Sequence, residues 1–578
     1  MNMEERKTRH GYPSVDKPWL KYYKPEHIGE QLPHCTLYEL FINENRHHHD
    51  DVAILFLGKQ ISYGEMNCHI DQCTKALLAM GATHDDIVTI AMPSTPEAAY
   101  IFYAVNRIGA VANMIHPLTS REEIISQLNE VKSRFFFMFT PTYNILRGTI
   151  ADTSVETSVV VSPVQSMSPV IRMAYSIQNR RRGIKSDKHF ITWKAFIAGG
   201  NTITTPLPTA VRAHDDWAVI SYTGGTTGKP KGVVCTNNNI IAQMRQITEG
   251  RGVKRQDVMM IQLPPFINYS LVTIIESFSY GFKTLLIPHY RPEKLVHYIH
   301  KNKVTFTHSI PAYWEPLLHI KVKPNHLASL RAIASGGEGM NTHTEKEINK
   351  KLRSGGANIQ LMKGMGMTES TSGVVGTYPN CNIEGSIGIP FIMTNCKITD
   401  TSTGQELTYN QTGEICFAGP TIMWGYYGNP EATDQIIETD SQGTRWLHTG
   451  DIGYMNNDGI IFLTGRMKRL IMQKDAGGMV SKISPERIEQ AISRHPAVAT
   501  CCVVGIPDTA RIARPVAVVE LIKNQTPSPR LKEEIINMCA TTLPQYMVPT
   551  EIIIIETMPR TDRGKIDYRA VEQMMSGE

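Results

Sequence analysis

The densest concentration of chemistry-bearing residues in the chain is the run Ser221-Tyr222-Thr223-Gly224-Gly225-Thr226-Thr227-Gly228-Lys229-Pro230-Lys231-Gly232, which follows the apolar stretch 217–220. Glycines let successive backbone N–H groups face a polyphosphate, the hydroxyls of Thr223, Thr226 and Thr227 add donors, and Lys229 and Lys231 supply charge. Such a loop suits nucleotide phosphates. It is not a Walker A loop, because Thr223 falls on that motif's first glycine and Pro230 follows the lysine. Two other glycine runs fail known motifs on spacing. Gly364-Met365-Gly366 opens a GxGxxG pattern whose last glycine is replaced by Glu369, and Gly385-Ser386-Ile387-Gly388 has Glu384 where a nucleophile elbow needs glycine.

The elements that must carry these loops read as an α/β protein. Residues 86–92 form a short apolar strand pattern, 96–105 an amphipathic stretch, and strand patterns return at 304–310, 330–335 and 359–362, each running into glycine or a helix start. Ligand loops are expected at such strand ends. After Gly413, short strands with turns, such as 413–417 and 459–463, predict a β-rich subdomain. A new unit begins near Arg469. From 485 to 578 the pattern gives helix (486–494), strand (499–504), strand (516–521), helix (530–541) and strand (551–556), the mix of a small α+β lid.

The phosphate run and three later ones, in the same order over nearly the whole chain, resemble the adenylate-forming superfamily of acyl- and aryl-CoA synthetases, peptide-synthetase adenylation domains and luciferases. Ser335-Gly336-Gly337-Glu338-Gly339 is similar to the family's adenine-side loop, and Lys363-Gly364-Met365-Gly366-Met367-Thr368-Glu369 to its GYGxTE segment. Tight glycine turns let backbone approach a flat base, Thr368 can donate to an α-phosphate, and Glu369 can hold Mg²⁺. Trp446-Leu447-His448-Thr449-Gly450-Asp451 and Gly465-Arg466 resemble a ribose clamp, in which two carboxylate oxygens of Asp451 match two hydroxyls and Arg466 adds a donor. Pro559-Arg560-Thr561-Asp562-Arg563-Gly564-Lys565 resembles the terminal catalytic-lysine loop, which assigns to Lys565 the stabilisation of charge where a carboxylate meets a phosphate.

The resemblance implies an α/β fold: an N-terminal adenylation domain at 1–466, built of two sheet subdomains and a β-rich one, a hinge at 467–469 and a mobile α+β C-terminal lid at 470–578. It implies two steps, with MgATP and a carboxylic acid giving an acyl adenylate and a thiol then displacing AMP. Between the steps the lid rotates, with Arg469 at the hinge position where many relatives carry aspartate or lysine. Met365 stands where an aromatic residue commonly stacks on adenine, a place a flexible thioether can also cover.

Leu263-Pro264-Pro265-Phe266-Ile267-Asn268-Tyr269-Ser270 resembles the acid-pocket segment, and Phe266, Ile267 and Gly336 are its expected lining. Ile267 replaces a common histidine, and the aspartate that would meet an α-ammonium is missing, so an amino-acid substrate is disfavoured. The expected reaction is acyl-CoA formation from a hydrophobic, fatty-acyl-like acid. The loop 472–484 looks longer than usual beside the thiol tunnel, which makes CoA less secure than adenylation. A carrier-protein ligase acting in trans is the first alternative, because only residues 566–578 lie beyond Lys565, and a non-catalytic nucleotide-binding relative is the second.

Composition agrees with this frame. The 578 residues are 41% hydrophobic and 20% charged, which calls for several packed units of roughly 100–200 residues and excludes wholesale disorder. A net charge of +5 is a poor footprint for nucleic acid. Ten cysteines without a CxxC pair predict reduced thiols in the cytoplasm, with Cys501 and Cys502 on opposite faces of a strand. No signal-peptide or membrane-spanning pattern is expected. His47-His48-His49 reads as a solvated loop, since consecutive side chains fan apart. The stretch 170–185, with Arg180, Arg181, Arg182 and Lys185, reads as a solvated basic surface that could also lay a helix on an anionic membrane.

Overall fold

Apolar runs with no polar alternation, such as Phe135–Phe139 and Thr157–Val161, can only sit where both faces of a strand are covered, and these two pair in parallel. The computed structural model describes residues 10–146, 148, 150–178, 189–208, 213, 215–223, 230–249, 251–340, 342–474, 480–508, 512–522, 525–561 and 565–576. Residues 224–229 and 562–564, and the basic positions 180–182 and 185, lie outside them.

One sheet of eight strands runs Gly425–Tyr426, Gly232–Thr236, Trp217–Tyr222, Val111–Met114, Ile87–Ala91, Phe135–Phe139, Thr157–Val161, Phe190–Thr192. A second, of nine, runs Ile389–Pro390, Gly373–Gly376, Leu361–Gly366, Ala332–Ser335, Phe306–Ser309, Val258–Ile261, Lys283–Leu286, Val52–Phe56, Lys59–Ser62. One hydrophobic cluster holds Val88 and Ile90 of the first sheet together with Met259 and Ile261 of the second. Helix Pro96–Arg107, started by Pro96 and capped by Thr95, is buried along its whole length within this shared core.

The β-rich subdomain pairs Asn395–Thr399, Gly413–Ala418, Arg445–Met455 and Ile437–Thr439, with Ile461–Arg466 added to the long strand. It is tied back to the first sheet by Asn239, whose side-chain amide donates to the carbonyls of Pro420 and Ile422.

The C-terminal unit has its own five-stranded sheet, in which Val498–Asp508 and Ile512–Leu521 pair antiparallel and Glu551–Ile555 joins in parallel. Cys501 packs in one core and Cys502 in the other, the opposite-face placement that alternation requires. Around segment 472–484, strands Ile471–Lys474 and Val480–Ile483 pair antiparallel. No helix among the described residues is long and apolar enough to cross a membrane.

Arg469 follows the last strand of the β-rich subdomain, yet its side chain belongs to the C-terminal unit. The guanidinium pairs with Glu489 at 2.6 Å and Glu486 at 3.2 Å, donates to the Val503 carbonyl, and lies over the Tyr568 ring. Arg469→Met would leave Glu489 buried without its cation, a loss of about 3 kcal/mol. Faster hydrogen exchange in strand Val498–Asp508, with the N-terminal sheets unchanged, is the expected readout.

Candidate active site

Parallel strands Phe306–Ser309, Ala332–Ser335 and Leu361–Gly366 end together, with Ser309 opposite Ser335 and Ser335 opposite Lys363. The loops leaving their carboxyl ends line one cavity of about 760 Å³, the place where open α/β sheets present ligand sites. Gly336 and Gly337 form one side, and Gly337 holds a left-handed φ of +85°. Gly364-Met365-Gly366, expected as a tight turn, is instead the end of a strand, because Gly373–Gly376 supplies an antiparallel partner. A Cβ on Gly366 would lie 1.7 Å from the Ser372 carbonyl oxygen, so no other residue fits there. The turn that follows carries Met367, Thr368 and Glu369 and is closed by the Ser370 hydroxyl, which accepts from the Met367 N–H at 3.1 Å.

Glu369 is buried, and its Oε1 accepts from the Tyr426 hydroxyl at 2.7 Å. Lys231 Nζ stands 4.7 Å over the same tyrosine ring. At the base of the phosphate loop, Thr223 N–H donates to the Lys231 carbonyl at 3.0 Å and Lys231 N–H to the Thr223 hydroxyl at 3.1 Å. Both ends of that loop are therefore clasped beside Glu369. Gly224, Gly225, Thr226, Thr227, Gly228 and Lys229 lie outside the described residues. Tyr426 was not legible as a site residue, since its partner stands 57 positions away.

Asp451 and Arg466 face each other across the ladder, with Arg466 Nε 2.7 Å from Asp451 Oδ1. Burial pushes the Asp451 carboxyl up, against the opposing pull of Arg466 and Lys565. The turn before Asp451 is held by a residue the motif reading missed: Glu414 Oε1 accepts from the Gly450 N–H at 2.9 Å, and its Oε2 meets His448 Nδ1 at 2.8 Å. Hydrogen bonds to Cys416 and Glu414 push the His448 imidazole up to about 11. Glu414, Cys416 and His448 form the one group of three ligating side chains among the described residues, and they already bind one another.

Lys565 lines the same cavity as Thr368 and Gly336. It is brought there by the tail loop, in which Thr561 N–H donates to the Lys565 carbonyl at 2.7 Å and Ile566 N–H to Glu338 Oε1 at 3.2 Å. Burial pushes the Glu338 carboxyl up, with Lys565 and Arg560 opposing. The adenine-side loop and the tail thus touch directly. Gly339 follows Glu338 in that loop with open space around it.

Phe266 and Ile267 line the cavity, and His116 packs on Phe266 with ring centroids 4.4 Å apart. Met365 and Met367 form part of the opposite wall. Helix Asn237–Thr248, started by the Thr236 capping box, turns Gln243 and Ile247 toward the cavity at i, i+4 spacing, with Arg251 beyond its end.

Family comparison decides what kind of protein carries these loops: the AMP-binding enzyme family matches residues 41–427, and its C-terminal domain matches 487–565. The chain belongs to the AMP-binding enzyme family. The long-chain-fatty-acid–CoA ligase of Bacillus subtilis (strain 168) is 28% identical over 568 residues, covering 95% of this chain and 96% of that protein. The 4-coumarate–CoA ligase 1 of Solanum tuberosum is 27% identical, covering 88% of each. The crystal structure of the anthranilate CoA ligase AuaEII with anthranoyl-AMP superposes with a TM-score of 0.78 at 21% identity, covering 94% of this chain and 98% of that one. This AMP-binding enzyme is of the acid–thiol ligase type.

Gly366→Ala should force the 366–372 hairpin apart and abolish nucleotide binding, seen as loss of ATP-induced thermal stabilisation while far-ultraviolet dichroism is retained. Glu414→Gln should raise the KM for ATP several-fold by loosening the Asp451 turn. It should also unfold earlier than the parent. His448 is protonated more readily folded than unfolded, so the deficit is full below the free imidazole value of about 6.5. It fades as pH rises toward the folded value of about 11. Urea midpoints across that range check the sign.

Proposed function

We propose that this enzyme joins a hydrophobic carboxylic acid of the fatty-acyl class to CoA through an acyl adenylate. The observation that carries the reading is the presence of Lys565 and Thr368 in the wall of a single cavity whose remaining lining is mostly apolar. In the first step an acid oxygen attacks the α-phosphorus of ATP and the bond to pyrophosphate breaks. The Lys565 ammonium lies where the two anions meet and offsets charge as it concentrates. Thr368 donates to the α-phosphate, Asp451 accepts from the ribose hydroxyls, and Gly337 with Met365 covers the base. In the second step the thiol sulfur attacks the acyl carbon, its proton is lost to solvent, and the bond to AMP breaks.

The Glu369 carboxylate, buried and oriented by Tyr426, fits a Mg²⁺ ligand, and the bound ion would shield the phosphate charge. The fatty-acyl class is supported by Phe56, Leu57, Phe139 and Met167 along the outer cavity. Ile171 and Tyr175 reach that cavity from helix Pro169–Gln178, whose Val170, Met173 and Ile177 are exposed. An acid held in an apolar or membrane phase suits such a mouth. All ten cysteines are free, which supports a reducing cytoplasmic setting. Main-chain rotation near 467–469 would swing the C-terminal unit, carrying Arg469 with it.

ATP–pyrophosphate exchange across a panel of acids, followed by thioester formation with CoA, tests the reading. Exchange with medium and long aliphatic acids is expected, and exchange with none of the panel would end it. Lys565→Ala should lower exchange by about 10²–10³-fold with ATP affinity largely kept. Unchanged exchange would remove this lysine from the reaction.

A further inference from the structure

Part of the cavity lining is polar. Gln243 is fully buried, lines the cavity, and neither atom of its amide has a hydrogen-bond partner among the described residues. Beyond the end of that residue's helix, Arg251 also lines the cavity, with Nε unpartnered and Nη1 2.5 Å from His308 Nε2. Tyr269 stacks on His308 with ring centroids 5.9 Å apart, and its ring would meet a Cβ on Gly336 at 3.7 Å. This polar part is therefore continuous with the loop that borders the adenylate side.

The local charge is one-sided. His308 is fully enclosed; burial, and then Arg251, holds it well below the usual imidazole range, so it is neutral and accepts from Arg251. Its other nitrogen then carries the proton and faces the Thr273 hydroxyl at 3.4 Å. Glu276 is buried with both carboxyl oxygens unpartnered, and burial pushes it up to about 8 against the opposing pull of Arg251, which favours its protonated form at neutral pH. Glu249, the neighbouring carboxylate, is already taken by Arg245 at 2.7 Å and His27 at 2.6 Å. Among the described residues, no carboxylate forms an ion pair with Arg251 within 4.0 Å. A terminal methyl beside them would leave the Arg251 Nε and the Gln243 amide unpaired in a buried setting.

We propose that the preferred substrate carries a second carboxylate at the end remote from the reacting one, received by Arg251 and Gln243. Apolar walls hold the methylene body, Lys565 faces the carboxylate that is adenylated, and the guanidinium reads the distal anion. This rests on the acyl-adenylate reading above and narrows its substrate class to α,ω-dicarboxylic acids.

The test compares straight-chain α,ω-dicarboxylic acids with monocarboxylic acids of equal carbon number, using full-length protein and ATP–pyrophosphate exchange. The unaltered enzyme should favour the diacid by at least about tenfold in kcat/KM, since a site built around a polar group rejects analogues lacking it. Arg251→Met should bring that ratio to one or below, by raising KM for the diacid and improving the monoacid, while Arg251→Lys keeps a reduced preference. Because the unaltered protein's own ratio is decisive, a variant that fails to fold does not rescue the idea. Exchange with monoacids but not diacids overturns this inference and leaves the adenylation reading intact. Exchange with neither overturns both.

Discussion

One hydrogen bond between distant parts of the chain organises the reactive centre: the Ile566 N–H on Glu338 Oε1. It fastens the C-terminal tail to a loop that sits at the end of a central parallel strand, and so places the ammonium of the preceding residue in the cavity wall. A carboxylate is well suited to this role. Burial makes Glu338 costly to ionise alone, and Lys565 and Arg560, which arrive with the tail, oppose that cost. The bond and the charges are coupled, since the loop gains its cationic neighbours only when the tail is docked.

The same economy of position appears at the other reactive groups. Each one is aimed by a partner from another element: Glu369 by Tyr426, the Asp451 turn by Glu414, and the two ends of the phosphate loop by each other. Glu369 and Tyr426, and Gly450 and Glu414, stand far apart in sequence. Rigid strands bring them together, and this gives the side chains a fixed geometry before any ligand arrives.

Sequence alone was most readable where backbone chemistry constrains residue type. The loops at 335–339 and 363–369 were readable through their resemblance to a family, and the left-handed φ of Gly337 and the approach of Ser372 to Gly366 are what demand glycine there. Strand and helix candidates in the C-terminal unit fell within a few residues of the observed elements, since alternating apolar runs between turns leave little choice. The strand character of 364–366 was hidden, because it depends on pairing with 373–376 and not on its own residues. Tyr426, Glu414 and the Arg251–His308 pair were hidden for a related reason. An isolated tyrosine, glutamate or arginine has no local pattern, and its role exists only after the sheets have formed.

The strand order of the larger sheet has a bearing on how the protein is made. Val52–Phe56 lies beside Lys283–Leu286, while the opposite edge is Ile389–Pro390. Val52–Phe56 can form its hairpin with Lys59–Ser62 early, but about 220 further residues must be made before Lys283–Leu286 can join its other side. The C-terminal unit, whose strands all come from the contiguous stretch 471–555, has no such delay and can assemble at once.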